Sequence, residues 1–153
     1  MSALSGRHEY RVTVTWSDRP GTTGYRDYTR DHVVTAEGKH DLAGSADRAF
    51  RGDPTRWNPE DLLTAALSQC HLLAYLHVCA EAGVVVTDYR DDARGTMGRD
   101  PDGGWSLHSV VLHPRVTLAE GGDDRKAAEL HHAAHEACFI ARSVAFPVTC
   151  EPV

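Results

Sequence analysis

The chain has 153 residues, with 16 lysines and arginines against 22 aspartates and glutamates, a formal charge of −6 and 41% hydrophobic residues. A chain of this length buries roughly 70% of its unfolded surface, so a core forms without disulfide staples, and residues 1–153 read as one domain. The apolar content excludes a disordered or collagen-like chain, four cysteines are too few for a disulfide framework, and the acidic balance with scattered arginines gives no electrostatic footprint for nucleic acid.

Tyr10, Val12, Val14 and Trp16 alternate with Glu9, Arg11, Thr13 and Thr15, a period-two pattern that predicts a strand with one buried face. Pro20-Gly21 turns the chain into a second strand over Tyr25–Thr35, and Glu37-Gly38 turns it again into a short third strand over Lys39–Ala43. The three form a β-meander. From Gly44 to Trp57 there is no periodicity, only a run rich in Arg, Asp, Gly and Pro, and an irregular loop of that length is more often functional than connective.

Asn58-Pro59-Glu60-Asp61 is a helix start, with a capping side chain, proline at the first helical position and two acids at the positive end of the helix dipole. The helix is expected to run to Glu81 and to stop at Gly83. Leu63, Ala66, Leu67, Leu73 and Ala74 form one apolar stripe on it, and Leu62, Ala65, Leu72 and Leu76 a second, so it is expected to be buried nearly all round, partly by a second subunit.

Val84–Met97 and Trp105–Leu118 read as two strands joined across Asp100–Gly104. Gly121–Asp124 introduces a second helix over Arg125–Ala141, and Val144–Cys150 reads as a final strand whose Pro147 places it at a sheet edge. The expected order is βββ-α-ββ-α-β, an α+β fold.

Leu62–Ala80 carries no Asp, Glu, Lys or Arg over 19 residues, a length that invites a membrane reading. Thr64, Ser68, Gln69, His71 and His77 interrupt it and Glu60, Asp61 and Glu81 flank it without a basic anchor, so no membrane partner is expected. The N-terminal MSALSGRHEYRV turns polar too early for a signal-peptide core. A cytoplasmic location with reduced cysteines follows as the expectation.

Cys70 and Cys79 are nine residues apart on the first helix and point to opposite faces, so they cannot pair. Cys138, placed on the second helix, shares a face with His131 and His135. A helical cysteine is ordinarily a small core residue, but polar neighbours on apolar helices favour a reactive one, because a thiolate needs nearby donors or positive charge.

Asn58-Pro59-Glu60-Asp61-Leu62-Leu63 with Ala65-Ala66-Leu67-Ser68-Gln69-Cys70 resembles the OsmC/Ohr family of osmotically induced and organic-hydroperoxide-resistance proteins, in which a cysteine follows the glutamate by ten residues. His135-Glu136-Ala137-Cys138 and the residues to Pro147 are similar to that family's second-cysteine helix and closing strand. The resemblance implies an intertwined homodimer, no cofactor, and thiol-dependent reduction of organic peroxides, with hydrogen peroxide as a second candidate substrate. By the same resemblance Cys70 is the peroxidatic and Cys138 the resolving cysteine, Glu60 orients an arginine, and a dithiol such as a lipoyl group regenerates the enzyme. Arg30, Arg51 and Arg56 are the candidate arginines, with Arg51 and Arg30 favoured. Ten helical steps separate Glu60 from Cys70 by about 15 Å, so a break in the helix or the partner chain is needed to bring them together. His71 stands where the organic-hydroperoxide branch usually has an aromatic residue, which places the chain in a less characterised OsmC-like branch.

Two other readings stand beside the peroxidase. One is a non-catalytic OsmC-like module that binds a small apolar ligand at the dimer interface and tolerates Cys138→Ser. The other is a metal site of His131, His135 and Cys138 completed by Cys70-His71, which lacks the close ligand spacings of strong metal motifs. Stoichiometric zinc in untagged protein would favour it.

Overall fold

The structure is a computed structural model describing residues 6–153. The first five residues of the N-terminal segment read above lie outside the described residues. The chain divides into two compact units between Leu62 and Leu63.

In the first unit, β1 (Thr13–Thr15), β2 (His32–Thr35) and β3 (Leu42–Gly44) form an antiparallel sheet in the order β1-β2-β3. The meander is the one expected, with shorter strands. The first strand contracts to the residues paired as Thr13↔Thr35, Val14↔Val34 and Thr15↔Val33. Residues 21–30 are turns and bends, not the start of the second strand. The third strand starts later than expected because Lys39 is consumed by the turn, its N–H bonding the Ala36 carbonyl at 3.1 Å. The alternating face does not become a buried one. Tyr10, Val12, Val14 and Trp16 are all exposed, since one small sheet offers nothing to cover them.

The loop from Ser45 to Trp57 contains a 3₁₀ turn at Arg48–Phe50. Its two ends are tied together, Trp57 donating its N–H to Ala43 and Ser45 donating to Trp57. Gly52 is required here by close approach, because a Cβ on it would lie 1.6 Å from the Ala46 carbonyl oxygen.

Helix α1 (Pro59–Glu81) has the expected bounds and no break. Asn58 Oδ1 accepts the Asp61 N–H at 2.7 Å, the predicted N-cap. At the other end Gly83 has φ +73°, and the Val84 and Gly83 N–H groups bond the Cys79 and Ala80 carbonyls, a Schellman stop. The burial of α1 differs from the two-stripe expectation. Its buried residues are Leu67, His71, Tyr75 and Cys79, a single line at four-residue spacing, while Leu73 is 64% and Leu76 38% exposed.

The second unit holds β4 (Val86–Asp91), β5 (Arg94–Arg99), β6 (Trp105–Leu112), β7 (Pro114–Leu118), helix α2 (Asp124–Ala137), a 3₁₀ turn at Ala141–Ser143 and β8 (Val148–Cys150). Each of the two long expected strands is therefore two, and the order is βββ-α-ββββ-α-β within the same α+β class. The hairpin divides into a β4-β7 pair and a β5-β6-β8 sheet. The cause is Asp91. Its Oδ1 accepts the His113 N–H at 2.7 Å and its Oδ2 the Ser68 hydroxyl at 2.5 Å, so a side chain replaces the ladder at the break and fastens it to α1. Strand β8 runs parallel to β6 at the sheet edge, as Pro147 foretold.

Two buried clusters organise this unit. Leu67 packs with Val110 and Leu112 of β6, and Tyr75 and Cys79 pack with Val84 and with Ala127 and Ala134 of α2. The Tyr75 hydroxyl donates to the Ala127 carbonyl at 2.9 Å, joining the two helices through a satisfied buried polar group.

Candidate active site

Cys70 lies on α1 one residue before the buried line and is half-buried, whereas Cys138 is 1% exposed. Helix α2 ends at Ala137, earlier than the expected Ala141, and Cys138 is its C-cap with extended backbone, its N–H bonding the His135 carbonyl at 3.2 Å. The helical-face argument that grouped Cys138 with His131 and His135 therefore fails, because Cys138 has left the helix. Instead, the end of α2 sets Cys138 near Cys70, close enough for the Cys70 sulfur to act on the Cys138 thiol.

Burial pushes the Cys138 thiol up to about 11; the Ala141 N–H, 3.5 Å from Sγ, opposes this, and the Cys70 sulfur adds to the rise. Cys79 is also pushed up by burial, partly offset by its hydrogen bond with Tyr75, and it lies in the core.

Beside the thiol pair lies a second polar cluster that sequence reasoning missed. His71 Nε2 is 3.1 Å from His131 Nδ1 and 3.6 Å from Cys150 Sγ. The two imidazole planes differ by 7° with centroids 5.4 Å apart. With the nitrogens only 3.1 Å apart, this is two coplanar rings joined end to end by an N–H···N bond, not a face-to-face stack. Tyr75 stacks on the face of His131 at 4.0 Å. Burial lowers the pKa of both imidazoles, His131 to about 4, and raises Cys150 to about 11. His71 and Tyr75 stand at i+4 and i+8 from Leu67 in the sequence, but nothing in the sequence pattern links them to Cys150. The metal set weighed from sequence is not the one the fold assembles: among the described residues, His71 and His131 meet Cys150 and not Cys138.

The remaining candidates lie in the first unit. The Arg30 guanidinium donates to the Tyr25 and Tyr28 carbonyls and sits over both rings, 3.7 Å from the Tyr28 centroid. Arg56 donates to the Gly44 and His32 carbonyls, each at 2.8 Å. Arg30 is fixed by loop backbone and Arg56 by the ends of β2 and β3. Arg51 is different: it is exposed, its backbone is left-handed at φ +67°, and its guanidinium has no hydrogen bond or ion pair among the described residues. Glu60, in the first turn of α1, has a buried Oε2 without a hydrogen-bond partner. That orphaned acceptor calls for a donor, since a buried unpaired carboxylate oxygen is costly.

The model of the OsmC-like protein family matches residues 52–152. Among solved structures, a Vibrio cholerae OsmC-like protein of unknown function is 32% identical with a TM-score of 0.86, covering 96% of this chain and 100% of its own. A Vibrio cholerae protein assigned to organic hydroperoxide resistance, with captopril bound in one of its active sites, is 26% identical with a TM-score of 0.68, over 95% of this chain and 94% of its own. The organic hydroperoxide resistance protein OhrB of Bacillus subtilis shares the fold at 24% identity and a TM-score of 0.69, over 95% of this chain and 98% of its own. No curated protein matches this sequence.

Proposed function

From the premise that this chain belongs to the OsmC-like family, we propose that it is a thiol peroxidase that reduces organic hydroperoxides, and hydrogen peroxide as well. The observation that carries this reading is the proximity of Cys70 and Cys138, the first half-buried and the second buried. The half-buried sulfur is the one a substrate reaches.

The Cys70 thiolate attacks the distal peroxide oxygen. An S–O bond forms, the O–O bond breaks, and protonation of the leaving oxygen gives the alcohol, or water from hydrogen peroxide. Cys138 then attacks the Cys70 sulfenic acid, forming a disulfide and releasing water. A dithiol, such as a reduced lipoyl group, restores both thiols by exchange and leaves as its own disulfide. No cofactor enters the cycle.

Arg51 is the arginine assigned to the peroxide, because its guanidinium is uncommitted, and Glu60 is the carboxylate that orients it, because its buried Oε2 lacks a donor. In this reading Arg30, the other candidate, holds the turn at Tyr25 and Tyr28. A homodimer completes the reading, supported by the apolar side chains of α1 that one chain leaves in solvent, Leu73 above all.

The test is one equivalent of cumene hydroperoxide added to reduced protein, followed by intact mass and peptide mapping. Wild type is expected to form an intrachain Cys70–Cys138 disulfide, and Cys138→Ala to accumulate oxidised Cys70. A Cys70 that stays reduced in wild type would refute the peroxidase reading.

A further inference from the structure

We propose that His71, His131 and Cys150 form a transition-metal site that takes a zinc-class divalent ion, distinct from the Cys70–Cys138 pair. The three ligand atoms come from α1, α2 and β8 and lie within 4.8 Å of one another, in a setting where both histidines are buried. Two imidazoles and one thiolate are a zinc donor set, with one coordination position left for an exogenous ligand.

Two of the three spacings are already close to those of a loaded site, and the third lies within 4.8 Å. Zinc at about 2.0–2.1 Å from two nitrogens and about 2.3 Å from a thiolate holds the nitrogens about 3.3 Å apart and the sulfur about 3.6 Å from each. The corresponding distances here are 3.1 Å between His71 Nε2 and His131 Nδ1, and 3.6 Å between His71 Nε2 and Cys150 Sγ. The proton shared by the two nitrogens occupies the ion's place. Exchanging it for a metal requires each ring to turn by about 35° in its own plane so that both lone pairs meet at one point. Tyr75 packs on the face of His131, a contact that in-plane rotation preserves.

Access is provided as well. His131 and Cys150 line a cavity of about 410 Å³ together with His132, His135, Val148 and Thr149. His135, whose Nδ1 is buried without a hydrogen-bond partner among the described residues, belongs to the wall of this cavity. Binding is balanced by simple ionisation: the ion gains the Cys150 thiolate and two neutral imidazoles, and the thiol proton leaves to solvent.

The experiment uses full-length protein, chelator-treated and reduced, in peroxide-free buffer, titrated with Co²⁺ and then Zn²⁺. One ion per chain is expected, with a thiolate-to-cobalt charge-transfer band and the intense visible bands of tetrahedral Co²⁺. Both signals should survive in a Cys70→Ser, Cys138→Ser variant and vanish in Cys150→Ser, while His131→Gln weakens binding at least about tenfold. Wild-type protein gives an independent measure, since bound Zn²⁺ should shield Cys150 from alkylation, read by peptide mass. A band lost in the double serine variant, or a Cys150 that zinc fails to shield, overturns the site. Neither readout involves peroxide turnover, so failure of the site and failure of the peroxidase reading are separable.

Discussion

The resolving step is expected to carry a steep pH dependence that originates in the burial of Cys138. At pH 7 a thiol with a pKa of about 11 is ionised in about one molecule in ten thousand, and each added pH unit raises that fraction about tenfold. Part of the elevation comes from the Cys70 sulfur, and it falls away once Cys70 becomes a neutral sulfenic acid. Burial, the larger cause, remains, so the profile keeps climbing well above neutrality, though its midpoint drops below 11. Moving from pH 6.5 to 8.5 should therefore speed disulfide closure by about 100-fold. The assay mixes reduced protein with one equivalent of cumene hydroperoxide, traps samples with a sulfenic-acid reagent at intervals, and follows the decay of trapped Cys70 by intact mass. A closure rate that changes less than about threefold over that range would refute the reasoning, because a local base, and not ionisation against burial, would then be governing the Cys138 proton.

The two favoured arginines should separate cleanly. Arg51→Gln is expected to lower kcat/KM for cumene hydroperoxide at least about 100-fold, about 2.7 kcal/mol of transition-state stabilisation, with thermal stability little changed. Arg30→Gln, which removes two carbonyl contacts and two ring contacts, should instead lower stability by about 1–2 kcal/mol in urea unfolding. Gly52→Ala forces a methyl against the Ala46 carbonyl and should cost more than about 2 kcal/mol locally, seen as faster proteolysis within residues 45–57 and a fall in turnover that mimics Arg51→Gln.

What the sequence made legible was local. The Asn58 cap, the Gly83 stop and the edge position of β8 each follow from one residue type acting on its own backbone, and each stands where expected. The misses were tertiary. Two long alternating segments became four strands because Asp91 reaches across to His113 and Ser68, a connection no periodicity records. Helix α1 carries apolar residues on two stripes, yet the line that becomes buried runs through His71 and Tyr75, whose Nε2 and hydroxyl reach partners on α2 and β8. The OsmC/Ohr resemblance picked out Cys70 and Cys138, but Cys150 looked like a plain edge residue because its significance depends on which side chains the fold sets beside it.

The early end of α2 also has a mechanical meaning. A cysteine inside a helix travels only by distorting a regular hydrogen-bond ladder on both sides, whereas Cys138 has the α2 ladder behind it and ahead only the Arg142 N–H on its carbonyl and the Ala141 N–H on its sulfur. Cys138 stands at that boundary, followed by the single 3₁₀ turn at Ala141–Ser143. Residues 138–143 thus form a short irregular connection at the end of a regular helix. In the proposed peroxidase cycle, the covalent link would close and reopen on this connection, outside the hydrogen-bond ladder of α2.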